Sequence, residues 1–544
     1  MRRLSKSKLI AHRQCPKRLW LELHRPELRD DSGAETVFRI GNEVGEVARR
    51  IYDPEGSGSF VDREELGYAE AIDRSDVLLA RYQGPIFEAA LQGGGVIAFT
   101  DVMLPAVNQY DKQGWRLIEV KSASSMKDCY RDDLAIQVHL ADQMGLPLVS
   151  AAIAHIDNTF VYRGDGNYEG LFREVDLLDE EDFPRFEAEE WILEAQETAE
   201  LAEEPEIPMG PHCSDPYDCP FAGYCGRDRP QAEYPLSSLP KLSAARRVAI
   251  EALGITDLRE VPDLLLTDTQ NHVREVTLSG QTWFDAEGAA AALSGHGFPA
   301  WFLDFETVMM PVPIWKNTRP YQQIPFQFSL HRVEADGAMH HDAFLDVSGA
   351  DPTRSLAETL IGCVGDEGPV FAYNAGFENR VLRELGQRFP DVATSLTAIA
   401  ERLVDLLPIA KAHFYAPSQH GSWSLKAVLP AACPDLSYDA LDGVADGVAA
   451  GEAFREAILP GTTAERRDEI ERQLLAYCHL DTLAMVRLWG VFRGKRRVAM
   501  NGLQWRVAMA GCNGGLQWRV AMAGCNGGLQ WQSTVHTQIS LQPP

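Results

Sequence analysis

The sequence predicts an α/β protein of several folding units, on three observations. At 544 residues the chain has room for about three domains at roughly 100–200 residues each. Two stretches carry strand patterns that lead into helical ones: GGVIAFTDVMLP and WRLIEVKSAS ahead of DDLAIQVHLADQMG, and AWFLDFETV ahead of the distant ERRDEIERQLLAYCHLDTLAMVRLW. Strands that alternate with long helical patterns belong to α/β architectures. Hydrophobic residues at 45% and charged ones at 24% are those of an ordinary globular protein, which excludes a disordered or collagen-like chain.

From the N-terminus, MRRLSKSKLIAHRQCPKRLW is basic, but His12, Arg13 and Gln14 break the apolar stretch, so no signal-peptide core forms. No run reaches the ~18 apolar residues of a membrane span, and we expect a cytoplasmic protein that does not engage a membrane. The net charge of −28 argues against indiscriminate polyanion binding but leaves room for a local basic groove. The first eighteen residues, with seven Lys/Arg and no acid, are the opposite of that average and could face phosphates. Asp176 to Glu206, acidic with Arg185 as its one basic residue, reads as a solvated helix face. Ten cysteines in such a chain point to metal or cluster ligation, or to buried thiols, rather than to disulfides.

Four segments follow. Residues 1–229 mix strands and helices and close on the Pro/Cys-rich PMGPHCSDPYDCPFAGYC; 230–295 read as a helical linker; 296–495 form a second α/β domain. In residues 496–544 LQWRVAMAGCNGG occurs twice in succession and begins a third time at Leu529. Identical copies suggest DNA duplication rather than a solenoid, whose repeats diverge. We expect this tail to be unstructured and without function.

In the first segment the two strands form a hairpin. Side chains two apart on a strand share a face, so Glu119 and Lys121 point the same way and Asp101 on the neighbouring strand can converge on them. Two carboxylates suit Mg²⁺ or Mn²⁺, and the ammonium can steer a water or balance charge. A surface salt bridge is the plain alternative. Cys213, Cys219 and Cys225 have five residues between successive members, and Cys15 lies about two hundred residues earlier. Four thiolates satisfy a cubane cluster; a Cys₄ zinc site, despite spacings unlike zinc-finger pairs, and unliganded thiols stay open.

Hairpin, helix and bracketing cysteines together resemble the RecB-like branch of the PD-(D/E)XK nucleases, with its restriction-endonuclease-like fold. The resemblance implies metal ligands at Asp101 and Glu119, catalytic roles for Lys121 and Gln137, and a structural 4Fe-4S cluster on Cys15, Cys213, Cys219 and Cys225. The Tyr that the family places four residues after the Gln is Ala141 here. An early His or Glu of the family corresponds to Glu46, with Gly45 where a His would stand. Glu88, in PIFEAAL, is a further candidate acid or a structural strand-end residue.

In the second domain WFLDFETV puts Asp304 and Glu306 on one face of a strand, VFAYNAGFENRVL puts Asn374 and Glu378 at i and i+4, and LLAYCHLDTLAM puts Tyr477 and Asp481 at i and i+4 on a helix. Buried paired acids call for cations. The acids Asp304, Glu306, Glu378 and Asp481 suffice for two metal ions, with Tyr477 orienting a water. Cys129, Cys363, Cys433 and Cys478 have no partners at ligand spacing.

These three blocks resemble the DnaQ-like DEDD 3′–5′ exonucleases on a ribonuclease H-like fold, in the subclass with Tyr four residues before the last Asp. The histidine subclass would need His where Ala476 stands, so His479 is not that residue. Glu378 replaces the family's Asp, and Lys426 in SQHGSWSLKAVLP meets a phosphate or serves structure. A bacterial family of predicted nucleases joins both modules in this order, and the resemblance covers nearly all of residues 1–495. It implies a metal-dependent nuclease acting on DNA, single-stranded first, or on RNA, with Mg²⁺ or Mn²⁺ and the 4Fe-4S cluster as cofactors. A nucleic-acid-binding adaptor with inactive sites is the alternative that Glu378 and Ala141 motivate. No G-x-x-x-x-G-K-[ST] loop is present, so a helicase or ATPase motor would be a separate partner.

Overall fold

The computed structural model describes residues 3–32, 34–227, 232–494 and 504–509. The chain divides into two compact units, Met1–Pro235 with Val308–Ile324, and Leu236–Thr307 with Pro325–Pro544. Both mix strands and helices. Among the described residues no helix is long and apolar enough to cross a membrane.

The first unit runs β1 (Leu4–Ser5), α1 (Lys6–Gln14), α2 (Pro16–His24), α3 (Ala34–Tyr52), β2 (Ser59–Phe60), α4 (Arg63–Leu79), β3 (Ile86–Gly93), β4 (Val96–Val107), β5 (Gln113–Lys121), α5 (Asp128–Gln143), β6 (Leu148–Ile156), β7 (Phe172–Asp176), α6 (Ala188–Glu200) and α7 (Ala222–Gly226). The described strands form one sheet in the order β2-β3-β4-β5-β6-β7, with β1 beside β4. The expected hairpin is β4–β5, antiparallel, and β5-α5-β6 is a parallel crossover. β6, LVSAAIAHI, is buried from Ser150 to Ile156, the near-continuous apolar run of an interior parallel strand. Along β5, Trp115 and Leu117 join the core that holds Leu134 and Val138 of α5, whereas Ile118 and Val120 belong to a cluster on the other parity. Glu119 and Lys121 share the parity of Trp115, so the strand period aims them at α5.

Two expectations about charge meet the structure differently. On α6, Trp191, Ile192 and Ala195 are buried while Glu189, Glu190, Glu194 and Glu197 are exposed, a solvated acidic face over an apolar stripe. In the basic N-terminal segment Lys6, Lys8, Arg13, Lys17 and Arg18 have acidic partners within the unit. Lys6 pairs with Glu119 and Asp133, Lys8 and Arg18 with Glu22, Arg13 with Asp132, and Lys17 with Glu204. Glu22 is a local partner, whereas Glu119, Asp132, Asp133 and Glu204 come from distant parts of the sequence.

The second unit runs α8 (Ala244–Glu251), α9 (Asp268–Ser279), β8 (Trp283–Phe284), α10 (Ala286–Leu293), β9 (Ala300–Val308), β10 (Ile324–Val333), β11 (Met339–Leu345), α11 (Thr353–Cys363), β12 (Val370–Ala372), α12 (Gly376–Arg388), α13 (Ala393–Ala400), β13 (Leu403–Asp405), α14 (Leu406–His413), β14 (Phe414–Tyr415), α15 (Leu425–Ala432), α16 (Gly447–Ile458), α17 (Ala464–Phe492) and β15 (Gln504–Met509). Its main sheet has the order β13-β12-β9-β10-β11-β15, and β8 pairs with β14 apart from it. Alternation along β9 divides two cores. Trp301, Leu303 and Phe305 pack with α11, α12 and α13, whereas Ala300 and Phe302 pack with α9, α10, α14 and Trp489 of α17. Asp304 and Glu306 continue the second parity, toward α17.

The boundaries differ from the expected ones in three places. Residues 236–295 are no free-standing linker, because Val273, Val276, Ala289 and Leu293 belong to the same core as Trp489. Val308–Ile324, expected in the second domain, belongs to the first unit. Within the tail, Gln504–Met509 is a strand parallel to β11 where none was expected. The rest of the repeat lies outside the described residues.

Candidate functional site

In the first unit, α1, β4, β5 and α5 deliver charged side chains to one buried point. Glu119 is 4% exposed. Its Oε1 accepts from Lys121 Nζ at 2.7 Å and Lys6 Nζ at 2.8 Å, and its Oε2 accepts from Gln137 Nε2 at 2.7 Å. Asp133 accepts from Lys121 and lies 3.0 Å from Lys6 Nζ. Asp101 Oδ2 accepts the Val120 backbone N–H at 2.6 Å. Burial holds the Asp101 carboxyl well above its usual range, with Glu119 adding to the shift. For Lys121 burial opposes the charge, but Asp133, Glu119 and Asp101 together raise its pKa well above the ordinary value. Asp133 is displaced the other way: burial would raise it, and Lys121 and Lys6 pull it below the usual range.

The structure therefore brings Asp101, Glu119, Lys121 and Gln137 together. It adds Asp133 and Lys6, which sequence reasoning missed. Asp133 sits four residues before Gln137, a spacing that shares a helix face. Lys6 reaches Glu119 across 113 positions and has no local signal. Glu88 joins the group: the pairs Phe87↔Val102 and Ala89↔Thr100 set it opposite Asp101, which responds to its charge. Its φ of 58° is in the left-handed region, a strain of about 1–3 kcal/mol of the kind that clusters at working sites. Glu46 is exposed on α3 and is not among the residues bonded to this cluster.

Lys6 is the hinge of this arrangement's charge balance. Lys6→Met leaves Glu119 and Asp133 with Lys121 alone, and breaking a buried ion pair costs about 3–5 kcal/mol. With one lysine remaining, a loss near the low end, about 3 kcal/mol, is expected in urea unfolding, and an unchanged midpoint would contradict it.

The cysteines close the same unit. Cys15 lies between α1 and α2, with φ −164° and ψ 118° as the junction residue of both helices. Cys213 ends a short turn, Cys225 lies in α7, and Cys219 sits between them. Gln14 Nε2 donates to the carbonyls of His212 and Tyr217 at 2.7 and 2.6 Å, tying the distant loop to α1. Cys15, Cys213, Cys219 and Cys225 line one cavity, together with Lys17, Arg18 and His212. Burial pushes the Cys219 and Cys225 thiols up, and the neighbouring cysteines add to both shifts. A cationic centre relieves that cost. Four thiols converging on one cavity are a donor set for a thiophilic metal centre.

In the second unit, β9, α12 and α17 converge. Burial raises Asp304 well above the carboxylate range, and Asp481, Glu306 and Glu378 each raise it further, so four acids from three elements act on one another. Burial, then Asp481, pushes Glu306 up to about 8 against the opposing Lys426. Glu378 is pushed to about 8 by burial, with Asp405 contributing, and its Oε2 is buried without a hydrogen-bond partner among the described residues. Asp481 rises to about 6 through burial, moderated by hydrogen bonds from Tyr438 and Tyr477 and by Lys426. Lys426 Nζ stands 5.0 Å from the Tyr477 ring centroid and donates to the Ala445 carbonyl. Asn374 makes the turn into α12, at φ 70°, with its N–H on Asp405 Oδ1 at 2.9 Å; its observed role is to shape that turn.

Three participants escaped the sequence. Tyr438 and Asp405 belong to no repeating pattern. Cys478, expected to have no ligand partner, lies with its Sγ 3.7 Å from Asp304 Oδ2, in a group with Asp304 and Glu306 whose ligand atoms are all within 4.8 Å; α17 packs this buried thiol against β9. An orphaned carboxylate oxygen among like charges fits a cation site.

The raised acids give a pH dependence. A carboxyl near 8 in the folded chain and about 4.3 unfolded binds its proton more tightly when folded, so its contribution is complete below the unfolded pKa and is lost as pH rises through 8. Metal-free protein is expected to melt lower at pH 8 than at pH 5.5 through Glu306 and Glu378. Mn²⁺ should restore most at pH 8. Calorimetry across that window, with Glu306→Gln flattening the slope, is the check.

Residues 301–424 match a protein family described as a domain of unknown function, DUF2779. That segment contains Asp304, Glu306 and Glu378 and stops short of Tyr477 and Asp481. No curated protein matches the chain. A solved structure described as the crystal structure of SSO0001 is 14% identical, over 42% of this chain and 86% of that one, with a TM-score of 0.22.

Proposed function

We propose that the protein is a metal-dependent nuclease that hydrolyses phosphodiester bonds of DNA or RNA, with a RecB-like iron–sulfur unit and a DEDD-type 3′–5′ exonuclease unit of ribonuclease H-like fold. The observation that carries this reading is the convergence of Asp304, Glu306, Glu378 and Asp481, each raised by burial, beside Tyr477. Asp304, Glu306, Glu378 and Asp481 would hold Mg²⁺ or Mn²⁺ there, and Asp101 and Glu119 would do so in the first unit. Such an ion polarises the phosphodiester and lowers the pKa of water. Tyr477, hydrogen-bonded to Asp481, orients the attacking water, whose oxygen bonds phosphorus as the P–O3′ bond breaks. Lys121 offsets charge that develops on the phosphate in the first unit. The four cysteines would hold the 4Fe-4S cluster as a structural tie between the ends of that unit. Single-stranded DNA is the first substrate to try, and strand opening would fall to a separate motor.

One observation favours the adaptor reading for the first unit: Lys6 and Lys121 already neutralise Glu119 and Asp133. The test is anaerobically purified full-length protein with Mn²⁺ and 5′-labelled single-stranded DNA, comparing wild type, Lys121→Ala and Asp304→Ala. A ladder lost only in Asp304→Ala assigns cleavage to the second unit, and loss only in Lys121→Ala assigns it to the first. If the metal-loaded protein leaves single-stranded DNA, duplex DNA and RNA intact, the nuclease reading fails; a gel shift without turnover, unchanged in Lys121→Ala, supports the adaptor.

A further inference from the structure

Three histidines outside the acid cluster meet in the second unit. His331 on β10 and His341 on β11 are cross-strand partners, so their rings stand on the same face of the sheet. His479 comes from α17. The ring centroids are 4.4 Å (His331–His341), 4.8 Å (His331–His479) and 4.5 Å (His341–His479) apart. One ring nitrogen from each lies within 4.8 Å of the other two.

Hydroxyls fix how two of the rings are turned. His331 Nδ1 is hydrogen-bonded to Thr482 Oγ1 at 2.8 Å, His341 Nε2 to Ser329 Oγ at 2.8 Å, and Ser329 Oγ to Thr482 Oγ1 at 2.6 Å. With Nδ1 committed to Thr482, the His331 ring turns its Nε2 to the opposite side. His331 is fully buried, and its Nε2 has no hydrogen-bond partner among the described residues. A buried polar nitrogen without a partner costs about 1–3 kcal/mol, and a structure that keeps one beside two further imidazoles leaves room for an electrophile. Metal-bound histidines are oriented in this way, with the second ring nitrogen held by a hydroxyl, carbonyl or carboxylate. His479 is less buried than the other two.

We propose that His331, His341 and His479 form a three-imidazole site for a divalent transition ion of the zinc class, distinct from the carboxylate site. Imidazole nitrogens suit Zn²⁺, and the all-oxygen acids suit Mg²⁺ or Mn²⁺, so one unit sorts two kinds of ion by donor type. The zinc ion ties α17 to the β10–β11 pair one residue from Cys478 and two from Asp481. The inference does not depend on the nuclease reading, because its readout is bound metal.

The experiment loads full-length protein with Zn²⁺, dialyses it against buffer with excess Mg²⁺ to keep the carboxylates occupied, and counts zinc per chain by elemental analysis. Wild type is compared with His479→Ala and with His479→Gln, which keeps more side-chain volume, each first checked for wild-type circular dichroism. The expected result is the loss of one zinc equivalent in a folded His479 variant. Equal zinc content in wild type and a folded variant overturns the site. Should both variants misfold, the zinc-edge X-ray absorption spectrum of the wild type decides: imidazole scattering supports the proposal, and zinc bound through sulfur or oxygen alone overturns it.

Discussion

Asp304→Asn is expected to raise the melting temperature of the metal-free protein while it removes Mn²⁺-dependent cleavage by the second unit. The two effects share a cause. Asp304 is buried with Asp481, Glu306 and Glu378 all raising its pKa, so an amide of the same shape, neutral without taking up a proton, relieves the cost of burying an ionisable group in a crowded site. A relief of one pKa unit is worth about 1.4 kcal/mol, and for a unit of this size each kcal/mol moves the midpoint by about 2–4 °C. On the proposed function the same change would delete a metal-ligand oxygen, and a loss of about 4 kcal/mol in transition-state stabilisation is a thousandfold in rate. Functional sites commonly hold groups together at a stability cost. Calorimetry without metal, paired with the cleavage assay, reads both quantities. A variant that melts below wild type would mean that Cys478, 3.7 Å from the Asp304 carboxylate, or another neighbour already compensates the charge.

Cys219→Ser is expected to have the largest effect on the first unit. The cavity it lines also receives Cys15, Cys213 and Cys225, and the proposed ligation there would join chain segments about two hundred residues apart. Closing so long a loop is entropically costly but grows only slowly with length, whereas ligand binding to a structural metal centre contributes about 10 kcal/mol or more of folding free energy. The variant should lose bound iron and visible absorbance and unfold several kcal/mol more easily. The acid cluster of the second unit, which has no residue in that cavity, should keep its Mn²⁺ response. Iron retained at the wild-type level in Cys219→Ser would remove that residue from the ligand set.

What the sequence made legible followed periodicity. Glu119 and Lys121 are two apart, as are Asp304 and Glu306, and Tyr477 and Asp481 are four apart; strand and helix periods turned these spacings into shared faces. Side chains that arrive from a distant element carry no such mark. Lys6 reaches Glu119 from the far end of the first unit, Tyr438 reaches Asp481 from a short turn, and Cys478 acquired meaning only when α17 packed on β9. Charge carried no address: the basic N-terminal run could face phosphates, and Lys6, Lys8, Arg13, Lys17 and Arg18 of it also pair with Glu22, Asp132, Asp133 and Glu204 inside the unit. Net charge in a window does not say where the partner is. His479, set aside as a mismatch to an exonuclease pattern, became one of the three rings of the histidine cluster.

The passage of residues 308–324 into the first unit bears on the timing of synthesis. Val312 sits in a core cluster with Val44, Val47, Ile156 and Leu171, Thr318 accepts the Tyr162 N–H at 3.0 Å, and Tyr321 donates to the Ser122 carbonyl, next to Lys121. The ribosome completes that segment roughly ninety residues after Pro235, on the order of ten seconds at about 5–20 residues per second. Until then the first unit lacks a wall, and β9, with Asp304 and Glu306, leaves the ribosome before that wall does. A chain released at Pro235 would leave Val44, Ile156 and Leu171 uncovered, and a protease acting during translation would find its cut sites there.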